Sequence, residues 1–291
     1  CIRDRANTGA WRRLAQSGIE VREWQIDPET GQLNPETLKP LLKGARLLCF
    51  PHCSNVIGEI NDVAAITRLA GAAGVATCVD GVSYAPHGFP NIADLGCDIY
   101  MFSAYKTYGP HQGIMVVRRD LGEMLPAQCH DFNKDALYKR FTPAGDDHAQ
   151  VAACAGMADY VDTLYAEMGG PQAPPASRAA AVHDAMRARE TELLEPLLDF
   201  LATKNSLRVI GPLDARRRAP TVGILANRPG EDIASDLAAH NINAGGGDFY
   251  SPRPLKAIGI DPAHGLLRLS FTHYTSDAEL DRLISALDHV L

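Results

Sequence analysis

Two stretches of this sequence set reactive side chains at short, defined spacings. The first, VATCVDGVSYAPH (75–87), sends an apolar run into Asp80 and then a polar turn. The second, YMFSAYKTYGPHQG (100–113), does the same with Ser103 and, three residues later, Lys106. A lysine amine that loses its proton can bond an aldehyde carbon. A carboxylate can hold the proton on a heteroaromatic ring nitrogen. A small hydroxyl and backbone N–H groups can hold a phosphate. Taken singly, each residue has a plainer use. Asp80 could cap the turn before Gly81, Lys106 could be a surface charge, and Ser103 could simply end a strand. The joint pattern, with HCSN (52–55) ahead of it, is what points to a site.

The elements around these residues decide whether they can meet. ARLLCFPHCS (45–54), VATCVDG (75–81) and IYMFSA (99–104) are near-continuous apolar runs, as expected of parallel strands buried on both faces. QGIMVVRR (112–119) reads as a further strand. Helical patterns lie between them at 35–43, 61–74 and 92–98, with Asn61 and Gly74 in cap positions. A helix is also expected at 8–18, opened by Thr8 and closed by Gly18, and an alternating strand at 19–27. This is the pattern of an α/β domain whose ligands bind beyond the carboxyl ends of the strands. Asn55, Asp80, Ser103 and Lys106 all fall at or just past those ends. Pyridoxal 5'-phosphate (PLP) asks for this set, a carboxylate on its pyridine nitrogen and a lysine on its aldehyde.

Downstream, 148–169 reads as one long helix. GGPQAPPAS (169–177) reads as a boundary. A second helix follows at 178–204, then strands at 207–211, 221–227 and 266–273, with helices at 231–240 and 276–290. The expected organisation is a large α/β domain over 1–170 and a smaller α+β domain over 171–291.

The 291 residues, 46% hydrophobic and 22% charged, describe a globular chain rather than a disordered one. The net charge of −7 argues against nucleic acid and anionic membranes as partners. No apolar run approaches the ~20 residues of a membrane span. Seven scattered cysteines without a CxxC pair suggest reduced thiols and a cytoplasmic setting. His52 and Cys53 adjoin, but no second ligand cluster accompanies them, so no metal site is expected.

HCSNVIGEIND, CVDGVSYAPH, LGCDIYMFSAYKTYGPHQG and RLSFTHYTSDAELDRLISAL together resemble the class V aminotransferases among the fold-type I PLP enzymes. Within that group the chain looks most like the cysteine desulfurase and selenocysteine lyase branch, over nearly its whole length. The resemblance implies a homodimer acting on a small amino acid. It implies that Lys106 bonds the cofactor aldehyde and moves protons, and that Asp80 pairs with the ring nitrogen. Asn55 would approach the ring's phenolate oxygen, and Ser83 would lie where many relatives have a glutamine. Ser103 would bind phosphate, with Tyr105 where relatives often have histidine. Arg268 would clamp the substrate carboxylate, a role suited to its planar fork, and His87 would line the site. Aminotransferase, epimerase or other lyase chemistry stays open, as does a degenerate, non-catalytic member.

The sequence also departs from that pattern. Asp4 stands where relatives place a histidine stacked on the ring. The chain starts at Cys1, and no phosphate-binding glycine/threonine turn precedes this region. GGGDFYSPRP puts Tyr250 near the position of a sulfur-accepting cysteine, and no cysteine follows Cys154. Asp146 occupies a position where relatives often carry a phosphate-contacting threonine; an acid there would repel phosphate, and His148 could substitute.

Overall fold

The computed structural model describes residues 9–291. The first sheet has four strands, β1 (Leu47–Pro51), β2 (Ala76–Asp80), β3 (Ile99–Ser103) and β4 (Gly113–Val117), in the spatial order β1-β2-β3-β4. β1, β2 and β3 run parallel; β4 returns antiparallel to β3. Parallel neighbours need long crossovers, here carrying the helices Val63–Ala72 and Ile92–Leu95. The first is capped by Asp62, whose side chain accepts from Ala65 N. Asn61 instead sends its amide to the carbonyl of Pro51 at 2.9 Å. Phe50, Val79, Tyr100 and Phe102 pack with Val63, Ile66 and Ala70 into one core.

The second sheet is β5 (Arg208–Ile210), β6 (Thr221–Leu225), β7 (Gly245–Gly247) and β8 (Leu266–Ser270), in the order β5-β6-β8-β7, with every pairing antiparallel. Its core comes from the helices Pro175–Ala202, Gly230–Ala239 and Asp277–Val290. Leu193, Leu194, Leu197 and Leu201 recur at helical spacing and meet Val222, Ile224, Leu267 and Leu269 of the sheet. The Asp277–Val290 helix opens on a full capping box between Ser276 and Glu279.

Other expectations from the sequence are corrected as well. Residues 19–27 are not a strand. Their alternation comes from packing beside the helix Pro35–Leu42: the buried Trp24 donates from Nε1 to the carbonyl of Asn34 at 3.1 Å and to Thr37 Oγ1 at 3.0 Å. Arg22 donates to the carbonyl of Leu41. The long helix at 148–169 is two, His148–Ala153 and Ala155–Glu167, broken at Cys154. Short helices at Arg119–Met124 and Pro252–Ala257 fall where the sequence pattern assigned no helix. The helix expected at 8–18 is a single α-helical turn, Gly9–Arg13, tightened into a 3₁₀ turn before Gly18; its cap at Thr8 lies outside the described residues.

Glu59 ties the two halves together. It is 5% exposed, its carboxylate accepts weakly from Leu33 N, and its backbone bridges to Arg218. Burial pushes its carboxyl up to about 7. A raised folded-state value means the stabilising contribution is complete below the ordinary value of 4.5 and is lost as pH rises through about 7. The Glu59→Gln variant should therefore remove a loss of roughly 3 kcal/mol between those limits, measured as denaturant midpoints against pH. An unchanged pH slope would refute the assignment. Ser276→Ala should cost about 1 kcal/mol through loss of the cap, read by the same unfolding experiment.

Candidate active site

The register of the first sheet brings its chemistry to one rim. Pro51 of β1 lies beside Asp80 of β2, and Asp80 lies beside Met101 of β3. Asp80 is the last residue of its strand and is 7% exposed. Its Oδ1 accepts from Val82 N at 3.0 Å, which fixes the carboxylate over the following turn. Ser103 ends β3 beside Gly113, and the next residues tighten into a single turn, Ala104–Lys106. That turn is closed by Thr107, whose hydroxyl donates to the carbonyl of Ser103 at 3.0 Å. Lys106, half-buried, leaves from it with Nζ 5.8 Å from the Tyr105 ring centre. Ser83 is half-buried in the turn after β2. Tyr105 is exposed and stacks on His111.

A buried aromatic network that the motifs did not reveal backs this rim. The His52 ring stacks on Tyr84, centres 3.7 Å apart, and its Nδ1 lies 3.0 Å from the Tyr100 hydroxyl. His52 N donates to the carbonyl of Asp80 at 2.8 Å, so the network is bonded to the strand end that carries the acid. Burial, helped by the nearby His183 and the guanidinium of Arg187, holds the imidazole down at about 3 and hence neutral. Tyr84 reaches on to His183 Nε2 at 3.1 Å. In the sequence, His52 stood out only as a neighbour of Cys53, because stacking across 32 residues leaves no local signature.

His87 is buried, and its Nδ1 meets Glu190 Oε1 at 2.9 Å. The other Glu190 oxygen accepts from Arg187 Nη1 at 2.9 Å. Glu190 is fully buried, and this pairing compensates its charge. His87 is thus tied to the long helix Pro175–Ala202.

Asn55 and Arg268 come from different sheets and meet. Arg268 Nη1 donates to the carbonyl of Asn55 at 3.0 Å. The Asn55 side chain donates to the carbonyl of Phe249 at 3.2 Å and lies 3.4 Å from Ser251 Oγ. Phe249 and Tyr250 both take left-handed backbone angles, φ 51° and 59°. For bulky residues that conformation costs of order 1–3 kcal/mol each and persists only where surroundings enforce it. Tyr250 points outward and is exposed. Asp146 and His148 flank Asp147, whose side chain caps the helix His148–Ala153. Asp4 lies outside the described residues. Among the described residues no cluster of three or more potential metal ligands occurs, and no helix is long and apolar enough to cross a membrane.

The carboxyl ends of the parallel strands thus carry a buried carboxylate, a primary amine and hydroxyls, and Arg268 of the second sheet bonds Asn55 in the loop after β1. Such a set can hold a carbonyl-bearing, phosphorylated heterocycle and an acidic substrate beside it.

Comparison with known proteins agrees with this geometry. The family profile "Aminotransferase class-V" matches residues 3–133. The chain is 30% identical to an aminotransferase-like protein, FGM3, of Gibberella zeae, over 98% of this chain and 70% of that protein. It is 29% identical to a cysteine desulfurase of Serratia proteamaculans, over 98% of this chain and 68% of that protein. Among solved structures it superimposes on the cysteine desulfurase CsdA from Escherichia coli with a TM-score of 0.79 at 22% identity, covering 98% of this chain and 69% of that one. The apo cysteine desulfurase from Thermococcus onnurineus NA1 gives a TM-score of 0.78 at 22% identity, covering 96% and 68%. These structures share its fold, that of the fold-type I PLP enzymes, and the sequence relatives carry the likeness further: the chain belongs to the class-V aminotransferase family, in its cysteine desulfurase-like branch.

Proposed function

We propose that this chain is a PLP-dependent enzyme acting on a small amino acid, with cysteine desulfurase-like chemistry as the leading reading. The observation that carries it is the rim of the first sheet, where buried Asp80 and half-buried Lys106 follow adjoining parallel strands. Members of the family use PLP, and the residues present fit it by the chemistry of their donors. Lys106 would hold the cofactor through Nζ, Asp80 through the ring nitrogen, and Ser103 through the phosphate. Ser83 and Asn55 would flank the ring oxygen. When bound, the cofactor supplies an electron sink beside the substrate's Cα.

The chain's own residues do the rest. Asp80 would hold the proton on the ring nitrogen, and the turn that bonds its Oδ1 keeps the carboxylate in place. Lys106 Nζ would take and return a proton at the substrate's carbon. Arg268 binds the substrate carboxylate with a planar fork. Its Nη1 also donates to the carbonyl of Asn55, which ties the guanidinium to the loop after β1. His87 would border the substrate from the loop after β2. We further propose the division into a cofactor-holding part over 1–170 and a smaller part over 171–291. We also propose a cytoplasmic homodimer; the exposed Met115 and Val116 on edge strand β4 support the dimer.

One observation favours a second reading, an aminotransferase, epimerase or other lyase of the same family. The loop at 248–251 carries Phe249 and Tyr250, and no cysteine occurs after Cys154 to accept sulfur there. The two readings separate by product in the presence of an added thiol such as dithiothreitol: only desulfuration of L-cysteine yields alanine, its S⁰-level sulfur passing to the thiol as a persulfide, which excess thiol then reduces to sulfide.

The purified chain incubated with PLP should absorb in the visible, and borohydride should fix the label to the Lys106 peptide. Lys106→Ala should show no fixed label, and turnover of any accepted amino acid should fall by about 10²–10⁴-fold. A label that washes out, or one fixed to another lysine, would overturn the assignment and leave a non-catalytic member of the family. Asp80→Asn should keep the label yet lower turnover by a similar factor, checked by the same absorbance and an amino-acid screen.

A further inference from the structure

The lane around Arg268 is built from glycines. On β8, Arg268 is paired with Gly223 of β6 on one side and Gly245 of β7 on the other. A Cβ at 223 would approach the carbonyl of Val56 to 2.8 Å, and a Cβ at 245 would meet Phe249 Cε1 at 2.9 Å. The ring of Phe249 thus lies over Gly245, and the guanidinium carbon of Arg268 sits 4.2 Å from the ring centre. That is well inside the range of a cation–π contact. The same residue's carbonyl accepts from Asn55, whose own carbonyl holds Arg268 Nη1. Phe249 therefore contacts the guanidinium directly and, through Asn55, sets the partner of its Nη1. Its left-handed backbone is the conformation that permits both contacts, and Ser251, fully buried, anchors the loop behind it.

We propose that Phe249 is a positioning residue for the carboxylate clamp: its ring, admitted by Gly245, holds the Arg268 guanidinium in one plane, so that recognition of an α-carboxylate depends on an aromatic face at this position. This rests on Arg268 being the carboxylate-binding residue, as proposed above. It predicts a specific kind of loss. Without the ring, the fork keeps its charge and its bond to Asn55 but loses the face that sets its plane, so affinity for the carboxylate falls while affinity for the amine end of a ligand does not. Leucine at 249 fills the space without a π face, whereas tryptophan keeps the face.

The experiment compares binding of L-alanine and of ethylamine, the same ligand without its carboxylate, to the PLP-loaded protein. Binding is followed by the change in visible absorbance. Phe249→Leu and Gly245→Ala should each weaken L-alanine about 5–20-fold, with ethylamine within twofold of wild type. Phe249→Trp should stay near wild type for both. A readout without cofactor accompanies it. The Nε–Hε resonance of Arg268, identified by its disappearance in Arg268→Lys, should be ring-shifted upfield in the wild type and return to the ordinary arginine position in Phe249→Leu. Arg268→Ala should abolish the preference for L-alanine over ethylamine. If it does so while Phe249→Leu leaves both ligands unchanged, the Phe249 proposal fails and the Arg268 clamp survives. If Arg268→Ala keeps the preference, the clamp itself is wrong and the role of Phe249 falls with it. An unshifted Nε–Hε resonance in the wild type would overturn the stack whatever the binding data give. Circular dichroism of each variant separates loss of fold from loss of positioning.

Discussion

Everything at the rim depends on the hydrogen-bond register of three parallel strands. A shift of one residue in β2 would turn Asp80 to the opposite face, because side chains alternate along a strand. Register is enforced by burial: Phe50, Val79 and Tyr100 fit the core only in this alignment. It is reinforced at the tip by His52, which bonds backbone-to-backbone with Asp80 while its ring is clasped by Tyr84 and Tyr100. The neutral imidazole is well suited there. A charged ring in that buried, cation-flanked place would carry a large desolvation penalty, and the pressure on it toward neutrality keeps the stack apolar in character.

The second constraint is the joint between the sheets. Asn55, the loop at 248–251 and Arg268 form a closed set of polar contacts, so the guanidinium from the second sheet is delivered to the first at a fixed height. The loop at 248–251 holds two aromatic residues, Phe249 and Tyr250, in left-handed backbone conformations. Strain of that kind is retained where the contacts it permits are worth more than its cost.

Most of the first sheet was legible in the sequence, because continuous apolar runs ending in polar turns are what doubly covered parallel strands must look like. The placement of Asp80, Ser103 and Lys106 at strand ends followed directly. Less was legible where distant residues decide. Alternation at 19–27 suggested a strand, but Trp24 turns inward to bond the helix beside it rather than a neighbouring strand. The break at Cys154 has no proline to announce it, and Gly156 lies inside the helix that follows. The Phe249 stack is invisible for another reason: a glycine on β7, an arginine on β8 and an aromatic residue in a loop acquire meaning only when the register makes them adjacent.

The helix Pro175–Ala202 has a mechanical consequence. Its middle turns carry Glu190 to His87 beside the first sheet, while Arg187 reaches the carbonyl of Arg218 just ahead of β6. Its last turns are packed into the core of the second sheet. It therefore behaves as a strut spiked into both bodies. To swing one body against the other, the molecule would have to break the buried contact between Glu190 and His87, and leaving such a group short of a hydrogen-bond partner costs about 1–3 kcal/mol. Large hinge closure is thus expensive in this fold, and whatever gating the site needs falls to short surface segments that can rearrange without moving the strut.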